Sequence, residues 1–520
     1  MISSEKDFYN VSINFKNRWH KWIKMCYSVS YPSIGSRYWG FGEELILNRD
    51  PIPSIIFYDQ DFVDLYDRSW VWIEEYWKQG SEENGLKGNY LSYNNQKTLN
   101  LFNSCLSSLF LNYSNQVYSP FEQIDFFYSK QEENGAIRCD YSVEDGKPVV
   151  TSDNPEGLTI PLLAYVEFFF YHKVGNKKRL KEIVPAMEKY FDWLKDNFMK
   201  ENGLFAVPVS ACQTGNIPRE RTVYPVDFNA AMAVNALYFS YIGDILNDKE
   251  MSFKFKRLYF LLKTRINGLM WDPDKRFYFD LDENEQRIPL MLIGSYWTML
   301  AEIPNDEKAI SMIEYLKDSS VFGSENPFPS VSMDSPCFKE NVEGYCGAVV
   351  PSNVYVVVKG LEKYGEYVFA RECVIRHLYF MLDTLQPEEN VVGDVWEAYL
   401  PSSEGVPASG GAEGFPAKRF LPQVCLVTIA LMIEDVVGLD VSLPRKTVYW
   451  TVPSLEEMGI EKLSLKKNLI TINSNKNTRG WEIRLESEKL YYFTIEIIDE
   501  NKKKTLPIPS GKCSMLIDKL

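Results

Sequence analysis

The sequence has 520 residues, of which 45% are hydrophobic and 24% are charged, an ordinary composition for a globular protein. This length exceeds what one hydrophobic core usually holds, so we expect one large domain and one smaller domain. The formal net charge of −15 argues against nucleic acid and anionic membranes as partners, because both repel a negatively charged surface.

Cysteine, histidine and apolar patterns exclude several classes of site. The nine cysteines are scattered singly without a CxxC pair, which indicates reduced thiols in the cytoplasm rather than a zinc site or a disulfide framework. The three histidines are too few and too widely separated to build a metal centre. No stretch approaches the roughly 20 apolar residues that span a bilayer. The start, MISSEKDFYN, shows no signal peptide, and an export signal removed earlier would leave the same start.

The chain divides into three predicted parts. Residues 1–57 contain RYWGFGEE and several prolines, and we predict an N-terminal extension or cap there. Residues 58–438 are mostly helical in periodicity. One apolar stripe consists of Leu180, Ile183, Val184, Met187, Phe191 and Leu194. Further stripes run through Ala230–Leu246, Ala309–Leu316, Val354–Gly365 and Arg371–Leu382. Long polar loops separate these helices and are the expected positions of binding residues.

The pattern changes after Gly438. Short segments rich in β-branched and aromatic residues follow, broken by the turn-like sequences SNKNTRG and DENKKK. The predicted strands are Thr447–Val452, Leu469–Asn473, Trp481–Leu485 and Leu490–Asp499. These features predict a small β-domain, resembling a β-sandwich, over residues 443–520.

Five segments carry a resemblance to a known family. They are FEQIDFFYSKQEENGAIRCDY (121–141), the stretch from NPEGLTIPLLAYVEFFF to FDWL (154–194), TGNIPR (214–219), AVVPSNVYVVVKGLEKYG (348–365) and DVWEAYLP (394–401). In order and spacing they resemble the signatures of the six-hairpin (α/α)6 glycosidases of the trehalase-like, glycoside hydrolase family 63-like group, which includes mannosylglycerate hydrolases.

The resemblance implies a mainly α fold, an (α/α)6 six-hairpin barrel followed by a small C-terminal β-domain. It also implies inverting O-glycosyl hydrolysis of a saccharide, with neither a metal nor an organic cofactor. Such an enzyme needs a carboxylate that activates water and a carboxylic acid that protonates the leaving oxygen. The sugar, its linkage and its anomer are not readable from this sequence.

The DVWEAYLP segment supplies the expected base. The resemblance assigns the base to Glu397, and Asp394 is a candidate partner that orients it or tunes its pKa. Trp396 and Tyr399 are expected to form the wall of the pocket and to donate or accept hydrogen bonds. The alternative is that Glu397 is a buried acid satisfied by backbone groups or by an arginine.

The expected acid is missing from its usual position. The group's proton donor is the Asp of a "MDN" loop, and Gly215 occupies the matching position here, where no proton can be donated. Three other signatures have also changed, among them an early Trp-Asp pair that appears as Phe102–Asn103. Asp140, Glu220 and Asp227 are other carboxyls expected near the barrel mouth. Asp227 is more simply a helix N-cap, and Glu220 is more simply a solvated or paired surface group.

Other polar residues of the matching segments are candidates for saccharide binding. They are Asp125, Arg138, Gln213, Asn216 and Arg219. Each arginine has two open interpretations, a bidentate contact with sugar hydroxyls or a sugar acid, and a structural salt bridge. Asp125 matches an acid of the family segment but also starts an apolar helix, where it can be structural.

Two alternatives to an active hydrolase remain. The first is a carbohydrate-binding protein on the same frame that lost catalysis with the acid at Gly215. The second is a sugar epimerase on a similar helical barrel, which would use paired histidines such as His172 and His377. Packing or capping is the simpler role for each histidine.

Overall fold

The structure is a computed structural model that describes residues 52–93, 96–213, 217–385, 393–402, 415–466, 468–508 and 510–516. Helices dominate the first two thirds of these residues. They are α1 (Gln60–Tyr76), α2 (Leu101–Leu111), α3 (Glu122–Ser129), α4 (Leu163–Val174), α5 (Lys177–Phe198), α6 (Val226–Leu246), α7 (Lys249–Arg265), α8 (Trp297–Leu300), α9 (Asp306–Lys317), α10 (Pro351–Lys363), α11 (Tyr367–Leu385) and α12 (Leu421–Cys425). A π-helix, Leu426–Val436, continues directly from α12.

Fully buried helices alternate with helices that bury one face. Helix α6 is buried at every position from Val226 to Ser240, whereas α7 buries one face, which includes Phe255, Tyr259 and Leu262. Helices α10 and α11 repeat this contrast. An amphipathic helix covers a core with one face, while a helix that is apolar all round lies inside it. The helices therefore form an inner and an outer layer.

Local signals explain where several helices begin. The side chain of Asn176 accepts a hydrogen bond from the Arg179 N–H at the start of α5, and Asp248 does the same for Met251 at the start of α7. These caps satisfy backbone donors that have no partner within the helix. Among the described helices, none has the length and apolarity that crossing a membrane requires.

The remaining elements are strands. Short pairs connect the helices: β2 (Trp77–Lys78), β3 (Tyr90–Leu91), β4 (Thr98–Asn100), β5 (Asp140–Ser142), β6 (Pro148–Val149), β7 (Trp271–Asp272) and β8 (Phe277–Tyr278). The longer strands are β1 (Ser54–Phe57), β9 (Leu439–Ser442), β10 (Thr447–Val452), β11 (Met458–Leu465), β12 (Asn468–Asn477), β13 (Gly480–Ser487), β14 (Tyr491–Ile497), β15 (Lys502–Ile508) and β16 (Gly511–Leu516).

The longer strands form two sheets. One has the order β1-β11-β12-β13-β16, and the other has the order β15-β14-β10-β9. All described pairings in these sheets are antiparallel except β10 with β14, which is parallel. Trp450 and Phe493 are fully buried, and their rings pack with centroids 6.2 Å apart. Two strands outside the predicted range 443–520, β1 and β9, belong to these sheets.

Strand β9 connects the sheets to the helical layers. The backbone N–H of Leu443 donates to the carbonyl of His172 at the end of α4 (2.7 Å), and the His172 Nδ1 lies 2.8 Å from the Ser442 hydroxyl. Gly438 adopts a φ of +86° immediately before β9, and a Cβ there would lie 2.1 Å from the Thr451 carbonyl oxygen. Only glycine fits this turn. Through these two hydrogen bonds, His172 attaches the end of α4 to the segment that contains β9.

Candidate functional site

Glu397 lies in an extended segment, 393–402, that runs against residues 415–420. Its backbone N–H donates to the carbonyl of Ala417 (2.8 Å), and the Ala417 N–H donates to the Glu397 Oε2 (3.2 Å). The side chain is half-buried. Burial raises the pKa of the Glu397 carboxyl, and the Ala417 N–H partly offsets that rise. The carboxylate is held in one orientation while part of it stays open to contact.

Tyr93 is a buried side chain that packs on the segment paired with Glu397. Its hydroxyl accepts a hydrogen bond from the Asn103 Nδ2 (2.8 Å), and its ring packs edge-on against Phe420, with centroids 4.5 Å apart. Burial raises the pKa of the Tyr93 hydroxyl, and the charges of Asp140 and Glu397 raise it further. Both carboxyls therefore lie within electrostatic range of one hydroxyl.

Asp140 is a half-buried carboxyl at the first position of β5. It pairs in register with Asn100 of β4, whose Nδ2 donates to the Asp140 Oδ1 (3.1 Å). The Asn100 Oδ1 in turn caps α2 by accepting from the Asn103 N–H (3.0 Å). Burial raises the pKa of Asp140, although hydrogen bonds from Cys139, Asn100 and Thr98 oppose the rise. A short hydrogen-bonded network thus links Asp140 to Asn103, which donates to the Tyr93 hydroxyl.

The other residues of the DVWEAYLP motif support the segment. Asp394 is buried and accepts from the Arg419 Nε (3.0 Å) and from the Val395 N–H (2.9 Å). The Tyr399 hydroxyl, 1% exposed, accepts from the Trp396 N–H (3.0 Å). The indole N–H of Trp396 is buried and has no hydrogen-bond partner within the described residues.

The loop before α6 contributes Gln213. The Trp297 Nε1 donates to the Gln213 Oε1 (2.5 Å), while the buried Gln213 Nε2 has no partner in the part of the chain that the structure describes. Gly215 and Asn216, the expected donor position and a predicted binding residue, lie outside the described residues. The loop resumes at Ile217, which packs in a buried cluster with Leu292, Val331 and Cys346.

Tyr345 joins this loop to the Glu397 segment. Its side chain packs on the cluster that contains Ile217 and also on a second cluster that contains Ala398 and Phe415. The rings of Tyr345 and Phe415 have centroids 3.8 Å apart. Tyr345 has a φ of +64° and Val342 a φ of +52°, a backbone region that β-branched and bulky residues rarely occupy.

Two predicted binding residues, Arg138 and Asp125, lie in ion-pair clusters of their own. The Arg138 guanidinium contacts Glu132 (2.7 Å) and Glu156 (2.7 Å), which is the salt-bridge interpretation left open by the sequence. Asp125 lies in the first turn of α3 and binds Arg179 (2.8 Å). Neither of these clusters includes Glu397.

Arg219 occupies a fully buried cluster. Its guanidinium donates to both oxygens of Asp227 (3.1 Å each) and to both oxygens of Asp280 (2.8 and 2.9 Å). The prediction that Asp227 caps α6 is wrong, because the helix begins at Val226 and follows Pro225. Asp227 is its second residue, and Arg219 and the Phe228 N–H bind its carboxylate.

Some residues of the site carry no signal in the sequence. Tyr93 and Trp297 belong to no recognised motif, and only the fold brings Tyr93 against Phe420 and Trp297 to Gln213. Asn103 could be identified from the sequence, because it replaces the Asp of the family's early Trp-Asp pair. Within the described residues, no group of three His, Cys, Asp or Glu side chains could hold a metal ion.

His377 packs beneath Tyr399 as a neutral imidazole. Its Nδ1 donates to the Asn326 Oδ1 (2.7 Å), its Nε2 is buried without a partner among the described residues, and its ring meets Tyr399 at 5.3 Å between centroids. Burial lowers the pKa of His377 to about 3. The ring of His172 makes its hydrogen bond with Ser442, and the ring of His377 makes its hydrogen bond with Asn326.

The low pKa of His377 predicts acid sensitivity. The folded protein keeps this histidine neutral, while the unfolded chain takes up a proton near pH 6.5. The contribution of His377 to the free energy of unfolding is therefore complete above that pH. It is lost as the pH falls toward 3, by up to about 1.4 kcal/mol per pH unit. Urea unfolding of wild type and His377→Gln between about pH 7 and pH 5 measures this. Equal pH slopes for the two proteins would contradict the assignment.

Two protein-family models match the chain. The mannosylglycerate hydrolase MGH1-like glycoside hydrolase domain matches residues 122–411, and the trehalase C-terminal domain matches residues 438–520. A protein of Borreliella burgdorferi described as uncharacterised is 46% identical over 478 residues, which are 91% of this chain and 100% of that protein.

Several solved structures share the fold. The GH63 mannosylglycerate hydrolase from Thermus thermophilus in complex with glucose has a TM-score of 0.55 at 16% identity, over 70% of this chain and 99% of that chain. The GH78 family rhamnosidase of Bacillus sp. GL1 has a TM-score of 0.60 at 14% identity, over 84% and 42%. The neutral trehalase Nth1 from Saccharomyces cerevisiae has a TM-score of 0.50 at 14% identity, over 66% and 73%.

These comparisons confirm the predicted (α/α)6 barrel with a C-terminal β-domain, and the resemblance drawn from the five sequence segments. The family model covers residues 122–411, more than half of the 520 residues. The chain belongs to the mannosylglycerate hydrolase MGH1-like glycoside hydrolase family.

Proposed function

We propose that the protein hydrolyses an O-glycosidic bond of a saccharide by the inverting mechanism, with Glu397 as the general base. The observation that carries the proposal is a half-buried carboxylate, Glu397, held by Ala417 on the segment whose Phe420 packs against Tyr93. A second carboxyl, Asp140, is linked to the same tyrosine by hydrogen bonds through Asn100 and Asn103. Inverting hydrolysis uses two carboxyl groups about 6.5–9.5 Å apart, with room for a water molecule beside the base.

Glu397 suits the role of base. A base must be ionised at the working pH and must accept a proton from water in the transition state. Burial raises the pKa of Glu397, which strengthens it as a base, while the Ala417 N–H favours the ionised form. Arg419 is engaged by Asp394 (3.0 Å), and Glu397 forms no ion pair within the described residues.

Asp140 is the proposed proton donor. The position that the family resemblance assigns to the donor is Gly215, so the proton must come from another group. Among the described residues, Asp140 is the carboxyl that acts on the same Tyr93 hydroxyl as Glu397. Burial raises its pKa, which favours the protonated form that a general acid needs. Asn100 fixes its orientation through the β4–β5 pair.

Two buried N–H donors without a partner among the described residues are the proposed saccharide contacts. The buried indole N–H of Trp396 and the Gln213 Nε2 can each donate to a sugar hydroxyl. A structural neighbour from Thermus thermophilus has been solved with glucose, and also with Tris and D-glycerate. These ligands suggest a small polyhydroxylated substrate. Arg219, which is 4% exposed, and Tyr399 act in this proposal by holding the site together.

A panel of disaccharides, glycosyl glycerates and aryl glycosides tests the proposal. We expect turnover of at least one glycoside, with proton NMR showing that the first-formed sugar has the anomeric configuration opposite to that of the substrate. A retained configuration would contradict the inverting mechanism. Tight saccharide binding in calorimetry without turnover of any glycoside would contradict hydrolysis.

Asp140→Asn tests the proton donor. The variant is expected to lose about 10²–10⁴-fold in kcat on glycosides with poor leaving groups, because general-acid assistance contributes about this much. It should lose far less on a glycosyl fluoride, whose leaving group needs little protonation. Asp145→Asn is the matched control, because Asp145 is exposed on the same hairpin and pairs with Lys147. Equal losses on both substrate types would show that Asp140 is not the donor.

A saccharide-binding protein without catalysis is the second candidate. Gly215 at the expected donor position favours it, and so do the hydrogen bonds that Asn100, Cys139 and Thr98 direct to Asp140, because they stabilise the ionised form. This candidate predicts that Glu397→Gln and Asp140→Asn alter saccharide affinity while neither wild type nor variants release a reducing sugar.

A further inference from the structure

Two cysteines lie in contact beside the candidate site. The Sγ atoms of Cys337 and Cys346 are 3.0 Å apart, and both residues are free thiols. The other described cysteines are Cys105, Cys139, Cys212, Cys373, Cys425 and Cys513, and no contact between two of their sulfurs is found. A disulfide has sulfurs about 2.05 Å apart, so bonding needs a movement of about 1 Å.

The loop between these cysteines already folds back on itself. The Lys339 N–H donates to the carbonyl of Cys346 (3.1 Å), and the Cys346 N–H donates to the carbonyl of Glu343 (3.3 Å). Gly347 has a φ of +103°, and a Cβ there would lie 2.6 Å from the ring of Phe338. The backbone therefore brings the two ends of the loop together without help from a covalent bond.

The loop lies between the two halves of the candidate site. Cys346 is buried against Ile217, the first described residue after the Gln213 loop. Its neighbour Tyr345 packs on Phe415 and on the cluster that contains Ala398, next to Glu397. A change at the cysteine pair therefore acts on the side chain that joins both halves.

We propose that Cys337 and Cys346 form a reversible disulfide that fixes the loop carrying Tyr345. The oxidant is a low-molecular-weight disulfide such as oxidised glutathione. The Cys337 thiolate attacks one sulfur of the oxidant, which forms a mixed disulfide and releases one thiol. The Cys346 thiol then loses its proton and attacks the Cys337 sulfur, which releases the second thiol. The protein loses two electrons and two protons, and the small disulfide is reduced to two thiols.

The surroundings of the two sulfurs determine that Cys337 reacts with the oxidant first. Cys337 is half-buried, whereas Cys346 is 2% exposed. Burial and the hydrogen bond from Cys337 raise the pKa of Cys346 to about 12, so Cys346 stays protonated and out of reach of an external disulfide. Once Cys337 carries the mixed disulfide, Cys346 is the nearest sulfur. The inference does not depend on the proposed hydrolysis.

Redox titration of the full-length protein tests the proposal. The protein is equilibrated with mixtures of oxidised and reduced glutathione, quenched in acid, alkylated and mapped by mass spectrometry. We expect Cys337 and Cys346 to lose alkylation together, with one peptide cross-link between them, and dithiothreitol to reverse the change. Hydrogen exchange of residues 338–347 is expected to slow in the oxidised protein.

Two variants complete the design. Cys513→Ser removes a half-buried thiol from β16 and should leave the cross-link unchanged. Cys346→Ser should stop the reaction at the glutathione adduct of Cys337, with no cross-link. A wild-type protein that accumulates only this adduct, or that keeps both thiols alkylated in the most oxidising mixture, would overturn the proposal.

Discussion

Replacing Glu397 by Gln is expected to lower kcat on the best glycoside by about 10²–10⁴-fold, the usual contribution of a general base. The amide has the shape of the carboxylate but cannot take a proton from water. Its oxygen can still accept the hydrogen bond from the Ala417 N–H (3.2 Å in the native protein), so the fold should be preserved. Initial rates at saturating substrate measure the loss, and calorimetry measures the saccharide affinity that remains.

The pH profile separates a base from a merely structural carboxylate. Because burial raises the pKa of Glu397 above its ordinary value of 4.5, wild-type kcat should rise with pH through that raised value and fall again at higher pH as the proton donor ionises. Residual activity of Glu397→Gln should lack this acid limb. Glu372→Gln, at an exposed position on α11, serves as the control and should keep both the rate and the profile. An unchanged acid limb in Glu397→Gln would refute the assignment.

Replacing Arg219 by Leu is expected to destabilise the protein by about 3–5 kcal/mol, the cost of breaking a buried ion pair. The side chain is 1% exposed and faces the carboxylates of Asp227 and Asp280, which are 0% and 4% exposed. Without the guanidinium, two negative charges would be buried at close range with their strongest counter-ion removed. Urea unfolding followed by tryptophan fluorescence measures the change.

Arg221 provides a matched control for this prediction. It lies two residues away and binds Asp282 (3.0 Å), but its side chain is 70% exposed. Arg221→Leu is therefore expected to leave the unfolding midpoint nearly unchanged, since solvent screens an exposed pair. Combining Arg219→Leu with Asp227→Asn and Asp280→Asn should recover part of the lost stability. Equal midpoints for Arg219→Leu and Arg221→Leu would contradict the buried-charge explanation.

The helical part of the fold could be predicted from sequence because its signals are local. The stripe around Val184 and Phe191 coincides with the buried face of α5, and the helix predicted over Ala230–Leu246 is α6 from Val226 onward. Such periodicity depends on residues three or four apart in the chain. The helix ends were less accurate, because capping side chains such as Asn176 lie outside the apolar stripe.

The strands were harder to predict. β12, β13 and β14 alternate apolar and polar residues, and this alternation predicts all three strands. β15 begins with three lysines and lies at a sheet edge, where charged residues prevent pairing with other molecules. β11 contains an irregular register between Ile460 and Leu463, which interrupts its alternation. Composition alone cannot distinguish such strands from loops.

The candidate site was predictable only where a motif marked it. Glu397 could be named because its neighbours Trp396 and Tyr399 match the family signature. The grouping of Asp140, Tyr93 and Glu397 could not be predicted, since these residues are far apart in the chain and come together only when the helices are packed. The same reasoning applies to Arg219, because its two aspartates come from the start of α6 and from the residues that follow β8.

The pairing of β1 with β11 has a consequence for synthesis. Ser54–Phe57 finds its hydrogen-bonding partner in Met458–Leu465, about four hundred residues later in the chain. A nascent chain elongating from its N-terminus must therefore hold this segment unpaired while every helix between the two strands emerges. Folding of the helical layers can begin early, but β1 can pair only after β11 has left the ribosome. Truncation near Gly438 would leave an unpaired strand at the entrance to α1.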